Sequence, residues 1–187
     1  MILSYLKKLL ISGLVCISAF SFAQNKLKDT YPAPKADNLL FYLQRSKNKN
    51  TIVYELNTLP DGSLNPREPV HASWLRYEEG GKKMELSYIQ RTLAFGINAK
   101  LTDKQNGNYL LTMVSYKART LFLQKSLVKN KYRILLEING KMCVLQSIFV
   151  NAKDNYWGYP IVESVELFGV DEKTGAPVYE KIPVKQG

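Results

Sequence analysis

The sequence predicts a mainly β fold: a single antiparallel β-barrel or β-sandwich, run as a meander of about nine or ten strands with one or two short helices. Three observations carry this prediction. Short runs rich in Val, Ile, Leu, Tyr and Phe recur from Asn38 to the end of the chain, punctuated by turn residues. One turn, Asn139-Gly140, supplies two successive residues that accept positive φ, as a two-residue hairpin requires, and strong β formers lie on both sides of it. Only one stretch prefers helical spacing to alternation.

Taken in order, Leu39 to Gln44 and Thr51 to Asn57 flank the polar segment Ser46 to Asn50 and read as a hairpin. Leu59 to Pro69 contains Asp61-Gly62 and three prolines, which makes it a loop. His71 to Tyr77 reads as a strand closed by Glu78-Glu79-Gly80-Gly81. Leu86, Ile89, Leu93 and Ile97 then fall on one helical face, predicting a short amphipathic helix over Lys83 to Ala94 that buries them. Tyr42 to Ser46 and Tyr88 to Thr92 resemble each other, but their flanks place one in a strand and the other in the helix, so they are not a repeat. Strands follow at Asn108 to Tyr116, Thr120 to Lys125, Tyr132 to Ile138, Lys141 to Val150, Ile161 to Phe168 and Val178 to Ile182, the last two around the turn Asp171 to Gly175. In Lys141 to Val150 both faces are apolar, which predicts a central strand covered on both sides.

The N-terminus has a different character. Lys7 and Lys8 precede an uncharged apolar run from Leu9 to Phe22, and Ser21 and Ala23 are small residues at the −3 and −1 positions of a cut before Gln24. This pattern predicts a cleaved signal peptide, residues 1–23, and an exported protein, periplasmic or secreted. Leu14-Val15 precede Cys16, so that cysteine reads as part of the apolar run and not as a lipid-carrying residue. Residues 24–36, with Pro32 and Pro34, form a linker, and 37–187 a single β-rich domain. Cleavage would remove two lysines and no acid, lowering the formal charge from +10 to +8 and leaving Cys143 as the one cysteine, hence no internal disulfide. No apolar run after Gln24 is long enough for a transmembrane helix.

The basic balance points to anionic partners: a glycan, a lipid or an envelope protein, without a dedicated nucleic-acid motif. The cations are dispersed, the densest groups being Arg45-Lys47-Lys49, Lys82-Lys83 and Lys125-Lys129-Lys131-Arg133. A single histidine, His71, excludes a zinc site built on several His, and no phosphate-binding loop, dinucleotide fingerprint, nucleophile elbow or calcium loop occurs, so no cofactor is implied.

Three constellations carry chemistry. His71 with Cys143 has the residue types of a base and a nucleophile, although Cys143 lies in the most apolar strand, where a thiol serves as a small hydrophobe. Glu163, Glu166 and Asp171 offer carboxylates, but 163 and 166 point to opposite faces of one strand. The broadest set interleaves Tyr42, Arg45, Tyr54, Trp74, Arg76, Tyr77, Tyr88 and Arg91. Aromatic faces suit sugars and guanidinium forks suit carboxylates or phosphates; the same residues also serve to fill a small β core and snorkel at its rim. Within this set Arg45, Trp74, Arg76 and Arg91 are the expected binding residues.

Asn38 to Asn48 followed by Asn50 to Asn57 resembles the opening block of an exported bacterial family filed as domain of unknown function 4833. Arg76-Tyr77, Glu79 to Lys82 and Glu85 to Arg91 resemble its second block, and Asn139-Gly140, Glu166-Leu167 with Gly169, and Thr174-Gly175 its later part. The resemblance covers about Asp37 to Pro183 and implies one domain and export, with no activity or site residues to carry over. The sequence thus predicts a non-catalytic binding or envelope-associated module for an anionic ligand. The alternatives are a hydrolase using carboxylates or the His71/Cys143 pair, and a barrel enclosing a small apolar ligand.

Overall fold

A computed structural model describes residues 31–126, 131–154 and 160–184. Residues 1–30, and with them the predicted signal peptide and most of the linker, lie outside the described residues. All the strands described below belong to one compact unit, Pro34–Gly187.

Eleven strands form one sheet: β1 (Leu39–Arg45), β2 (Asn48–Leu56), β3 (Val70–Arg76), β4 (Lys82–Glu85), β5 (Ile97–Asp103), β6 (Asn108–Met113), β7 (Tyr116–Lys125), β8 (Tyr132–Ile138), β9 (Lys141–Asp154), β10 (Pro160–Asp171) and β11 (Pro177–Pro183). One helix, α1, starts as an α-turn at Tyr88–Gln90 and continues as a π-turn over Arg91–Phe95. Asn139 and Gly140 take φ of 50° and 73°, the positive pair on which the β8–β9 hairpin depends.

The long strand β9 is the hub. One of its edges carries β10 throughout, from Cys143 opposite Asp171 to Asp154 opposite Pro160. Its other edge is shared. β8 pairs antiparallel with the first part, through Leu136 opposite Cys143, and β1 pairs parallel with the middle, from Tyr42 opposite Ser147 to Arg45 opposite Val150. Two four-stranded arms, β4-β3-β2-β1 and β8-β7-β6-β5, therefore leave one edge of β9 and curl into a half-barrel. The parallel β1–β9 pairing makes the sheet mixed, in place of the predicted purely antiparallel meander, because the two arms meet where β1 joins the middle of the hub strand β9.

Alternation along each strand fills the shared interior. Phe41, Leu43, Ile52, Tyr54 and Ala72 from one arm meet Leu111, Leu123, Ile134 and Leu136 from the other, with Cys143 and Leu145 of β9 between them. Phe41 and Tyr54 sit opposite each other in the β1–β2 register and stack at 4.2 Å. The concave side is occupied by these side chains. The reverse face of the first arm is buried as well but polar, with Gln44 donating to Thr51 at 3.2 Å and the carboxylate of Glu55 held by Lys83.

Several boundaries differ from expectation. The helix predicted over Lys83 to Ala94 is strand β4 as far as Glu85, and the helical turns occupy Tyr88 to Phe95 only. Ser87 explains the start: its hydroxyl accepts from Gln90 N while the Gln90 side chain accepts from Ser87 N, a reciprocal capping box. The strand predicted over Asn108 to Tyr116 ends at Met113, a turn occupies Val114-Ser115, and Tyr116 opens β7. β5 is a strand that the sequence reading does not predict: none of its residues is buried and no alternation marks it, as suits an edge strand paired on one side. β9 is central, but one face of its first part is open, with Met142 40% exposed. Tyr42 to Ser46 is strand and turn while Tyr88 to Thr92 is helix, in keeping with their separate reading.

Candidate functional site

The four residues expected to bind are placed on the first arm and around α1. Trp74 and Arg76 alternate onto the same face of β3, opposite Met84 and Lys82 of β4. Arg45, at the end of β1, lays its guanidinium 4.9 Å from the Trp74 ring centre and 5.5 Å from that of Phe95. Its Nη2 donates to Asn48 Oδ1 at 3.3 Å, while its Nε is buried with no hydrogen-bond partner among the described residues. Burial lowers the guanidinium's proton affinity, and the Glu78 charge partly restores it. Trp74 also donates from Nε1 to Gln90 at 3.1 Å and meets the Phe95 ring edge-on at 5.4 Å. Arg45 and Trp74 are thus brought together as a stacked pair.

Arg76 and Arg91 are engaged elsewhere. Arg76 pairs with Glu79 at 2.6 Å and touches the Met84 sulfur. Arg91 bridges two carboxylates, Glu68 at 2.7 Å and Glu85 at 3.0 Å. The same two acids flank His71, whose Nδ1 lies 3.2 Å from Glu68 and whose Nε2 lies 3.0 Å from Glu85. Burial pushes the Glu85 carboxyl up, but the hydrogen bond and charge of His71 and the charge of Arg91 outweigh it, leaving a net lowering.

The other two constellations are not assembled. His71 lies in β3, separated from β9 by β2 and β1, and turns to its carboxylates, whereas Cys143 faces the core, fully buried. Burial, aided by the Asp171 charge, raises the thiol above its usual range, the opposite of an activated nucleophile. Glu163 pairs with Lys153, and Glu166 accepts from Asn151 at 2.8 Å. Asp171 lies at the far end of β10, where it accepts from the N–H groups of Lys173 and Thr174. No group of three or more His, Cys, Asp or Glu among the described residues is placed to hold a metal ion.

The second arm carries a cleft of about 1430 Å³ across the ends of β6 to β10. Gln124, Arg133, Val144 and Gln146 line it between two turns, 103–108 and 171–175. Each turn is closed by an aspartate. Asp103 accepts from the Asn106 side-chain amide at 2.6 Å and from the N–H groups of Asn106 and Gln105, and Asp171 from those of Thr174 and Lys173, and these bonds hold both carboxyls below their ordinary range. Gly107 is needed at the first turn: its φ is 62°, and a Cβ there would meet the Tyr132 hydroxyl at 2.6 Å.

The cations of this cleft divide into held and free. Arg133 is paired with Glu172. Lys104, Lys125 and Lys131 are exposed and meet no carboxylate at ion-pairing distance among the described residues. Around them stand the amides of Gln105, Asn106, Asn108 and Gln124 and the ring of Tyr132. Lys125, Lys131 and Arg133 belong to one of the basic clusters marked in the sequence, whose remaining member, Lys129, lies outside the described residues. Lys104 and the amides of Gln105, Asn106 and Asn108 join them through the β5–β6 turn, which no local pattern connects to β8.

From β1 into β11, over residues 41–181, the sequence matches a family described as a domain of unknown function, DUF4833. No curated protein and no solved structure matches the chain. The match takes in both arms of the half-barrel and the hub strand between them, and the chain belongs to the DUF4833 family.

Proposed function

We propose that the protein is a binding module that holds an anionic glycan in the cleft of the second arm. The observation that carries this reading is the trio Lys104, Lys125 and Lys131, unpaired among the described residues and set beside amide side chains that donate and accept. The volume, about 1430 Å³, exceeds the roughly 300–1,000 Å³ of sites for compact small molecules and suits an extended, polar chain. By contrast, Arg76 and Arg91 meet carboxylates and Arg45 is stacked on aromatic rings, so we assign these to building the first arm.

Binding of acidic polysaccharides, set against neutral ones, should be salt-sensitive, because exposed lysines act through screened charge. Lys125→Glu with Lys131→Glu is expected to weaken it at least about tenfold while leaving thermal stability within about 0.5 kcal/mol. Equal binding of neutral and acidic glycans, or unchanged affinity in the double variant measured by calorimetry, would refute the assignment.

We also propose that the protein acts outside the cytoplasm, on the strength of the leader pattern in residues 1–23. N-terminal sequencing of exported protein should begin at Gln24, and exported material beginning at Met1 would contradict this.

A further inference from the structure

The helix α1 is turned the wrong way round for a helix of a globular protein. Gln90, Arg91 and Phe95 face the sheet, while three large apolar side chains face solvent. Tyr88 is 82% exposed, Ile89 67% and Leu93 71%. Ile89 and Leu93 are two of the residues whose spacing predicts a buried face, and of that set Leu86 alone is fully buried.

The inversion is fixed by bonds on the inner side. Gln90 accepts from Trp74 Nε1 and from Ser87 N, closing the capping box against the sheet. Arg91 is held by Glu68 and Glu85. The Tyr54 hydroxyl, at the bottom of the core, donates to the Phe95 carbonyl at 3.0 Å, and the Phe95 ring rests on Trp74. Rotating the helix to bury Ile89 and Leu93 would break all of these contacts, so the apolar side chains are presented to solvent on a rigid mount.

What covers this patch is decided by its size, shape and charge. Three side chains on a single short helix offer on the order of 400 Å², well below the roughly 1,200 Å² that a stable protein interface buries. An aromatic hydroxyl beside two branched aliphatics on a projecting helix is the composition that partitions into the boundary between lipid headgroups and acyl chains. In the recess of about 570 Å³ beside Leu93 lies Lys117, exposed and unpaired among the described residues, while the nearby acids Glu68 and Glu85 are both held by Arg91. The whole chain carries +10, or +8 without residues 1–23.

We propose that α1 is a membrane-surface anchor, inserting Tyr88, Ile89 and Leu93 into the headgroup region of an anionic bilayer with Lys117 at the lipid phosphates. This surface lies apart from the lysine cleft and does not depend on what the cleft binds.

The test uses the chain from Gln24 onward, since the complete core lies within residues 34–187 and the apolar leader would bind lipid by itself. Co-sedimentation with phosphatidylglycerol vesicles is compared with phosphatidylcholine vesicles, for wild type, Ile89→Ser with Leu93→Ser, and Lys117→Glu. Both aliphatic positions are exposed, so the first variant should melt like wild type while its partition into anionic vesicles falls about tenfold or more. Lys117→Glu should lower binding to anionic vesicles severalfold and leave the weaker binding to neutral ones unchanged. Acidic-glycan binding should be the same in all three proteins. Absence of vesicle binding by wild type, or equal binding by the aliphatic variant, overturns the proposal. So does a wild-type dimer that the aliphatic variant dissociates, because the patch would then be covered by a second copy.

Discussion

Gly96→Ala is expected to destabilise the protein by about 3 kcal/mol, a large effect for the addition of one methyl group. Gly96 closes α1 with φ −68° and ψ 161°, values any residue adopts, so the conformation itself is not what demands glycine. Space is. A Cβ at this position would lie 2.0 Å from the Arg91 carbonyl oxygen and 3.0 Å from its carbon, and no side-chain rotation relieves a clash with backbone. The last turn of the helix would have to unwind. Phe95 would then move off Trp74, and its carbonyl would move off the Tyr54 hydroxyl, stranding a phenol that is fully buried and whose burial already pushes its ionisation far up. The Gly96 carbonyl also accepts from Val114 N at 3.0 Å, so the same shift loosens the β6–β7 turn. Urea unfolding should show a lower midpoint with an unchanged slope. A midpoint within experimental error of wild type would mean that the helix end yields freely and is not rigidly held.

The strands legible in the sequence are those whose information is local. The Asn139-Gly140 hairpin needs only two adjacent residues that accept positive φ, and the alternation of β6 needs only a neighbour on each side. The parallel pairing of β1 with β9 is different, since it joins residues about a hundred positions apart and leaves no mark in either strand. β5 escapes sequence reasoning because an exposed edge strand carries neither alternation nor β-branched residues in quantity. The helix is present but displaced and inverted. Its apolar spacing is genuine, and the usual inference that such a face is buried fails because Gln90, Arg91 and Phe95 hold the other face to the sheet.

The site is legible in the same partial way. Residue type alone singles out Arg45 and Trp74, and the two do meet, since β1 and β3 are separated only by β2 and point both side chains to one face. Arg76 and Arg91 are equally good by type, yet each has a carboxylate partner, and pairing across strands cannot be read from spacing. The basic cluster at Lys125 to Arg133 is visible as composition. Its conversion into a cleft depends on two aspartate-closed turns brought to one rim by topology, and a linear sequence does not display that.

Trp74→Ala distinguishes a building role from a binding role for the residue set that the sequence marks as the site. The indole joins three partners: the Arg45 guanidinium, the Phe95 edge and the Gln90 amide. Its removal should cost about 3 kcal/mol, at the lower end for an aromatic truncation because the ring is only partly buried. Part of that cost comes from Arg45, whose guanidinium would lose one of its two ring faces while its Nε still has no hydrogen-bond partner among the described residues. A double-mutant cycle with Arg45→Leu should therefore return a coupling of about 1 kcal/mol, and Trp74→Phe should recover roughly half the loss. Below its melting temperature Trp74→Ala should still bind acidic polysaccharide at the lysine cleft as wild type does. The opposite pattern, full stability with binding abolished, would move the site from the second arm to the Arg45–Trp74 stack and reassign those two residues from architecture to recognition.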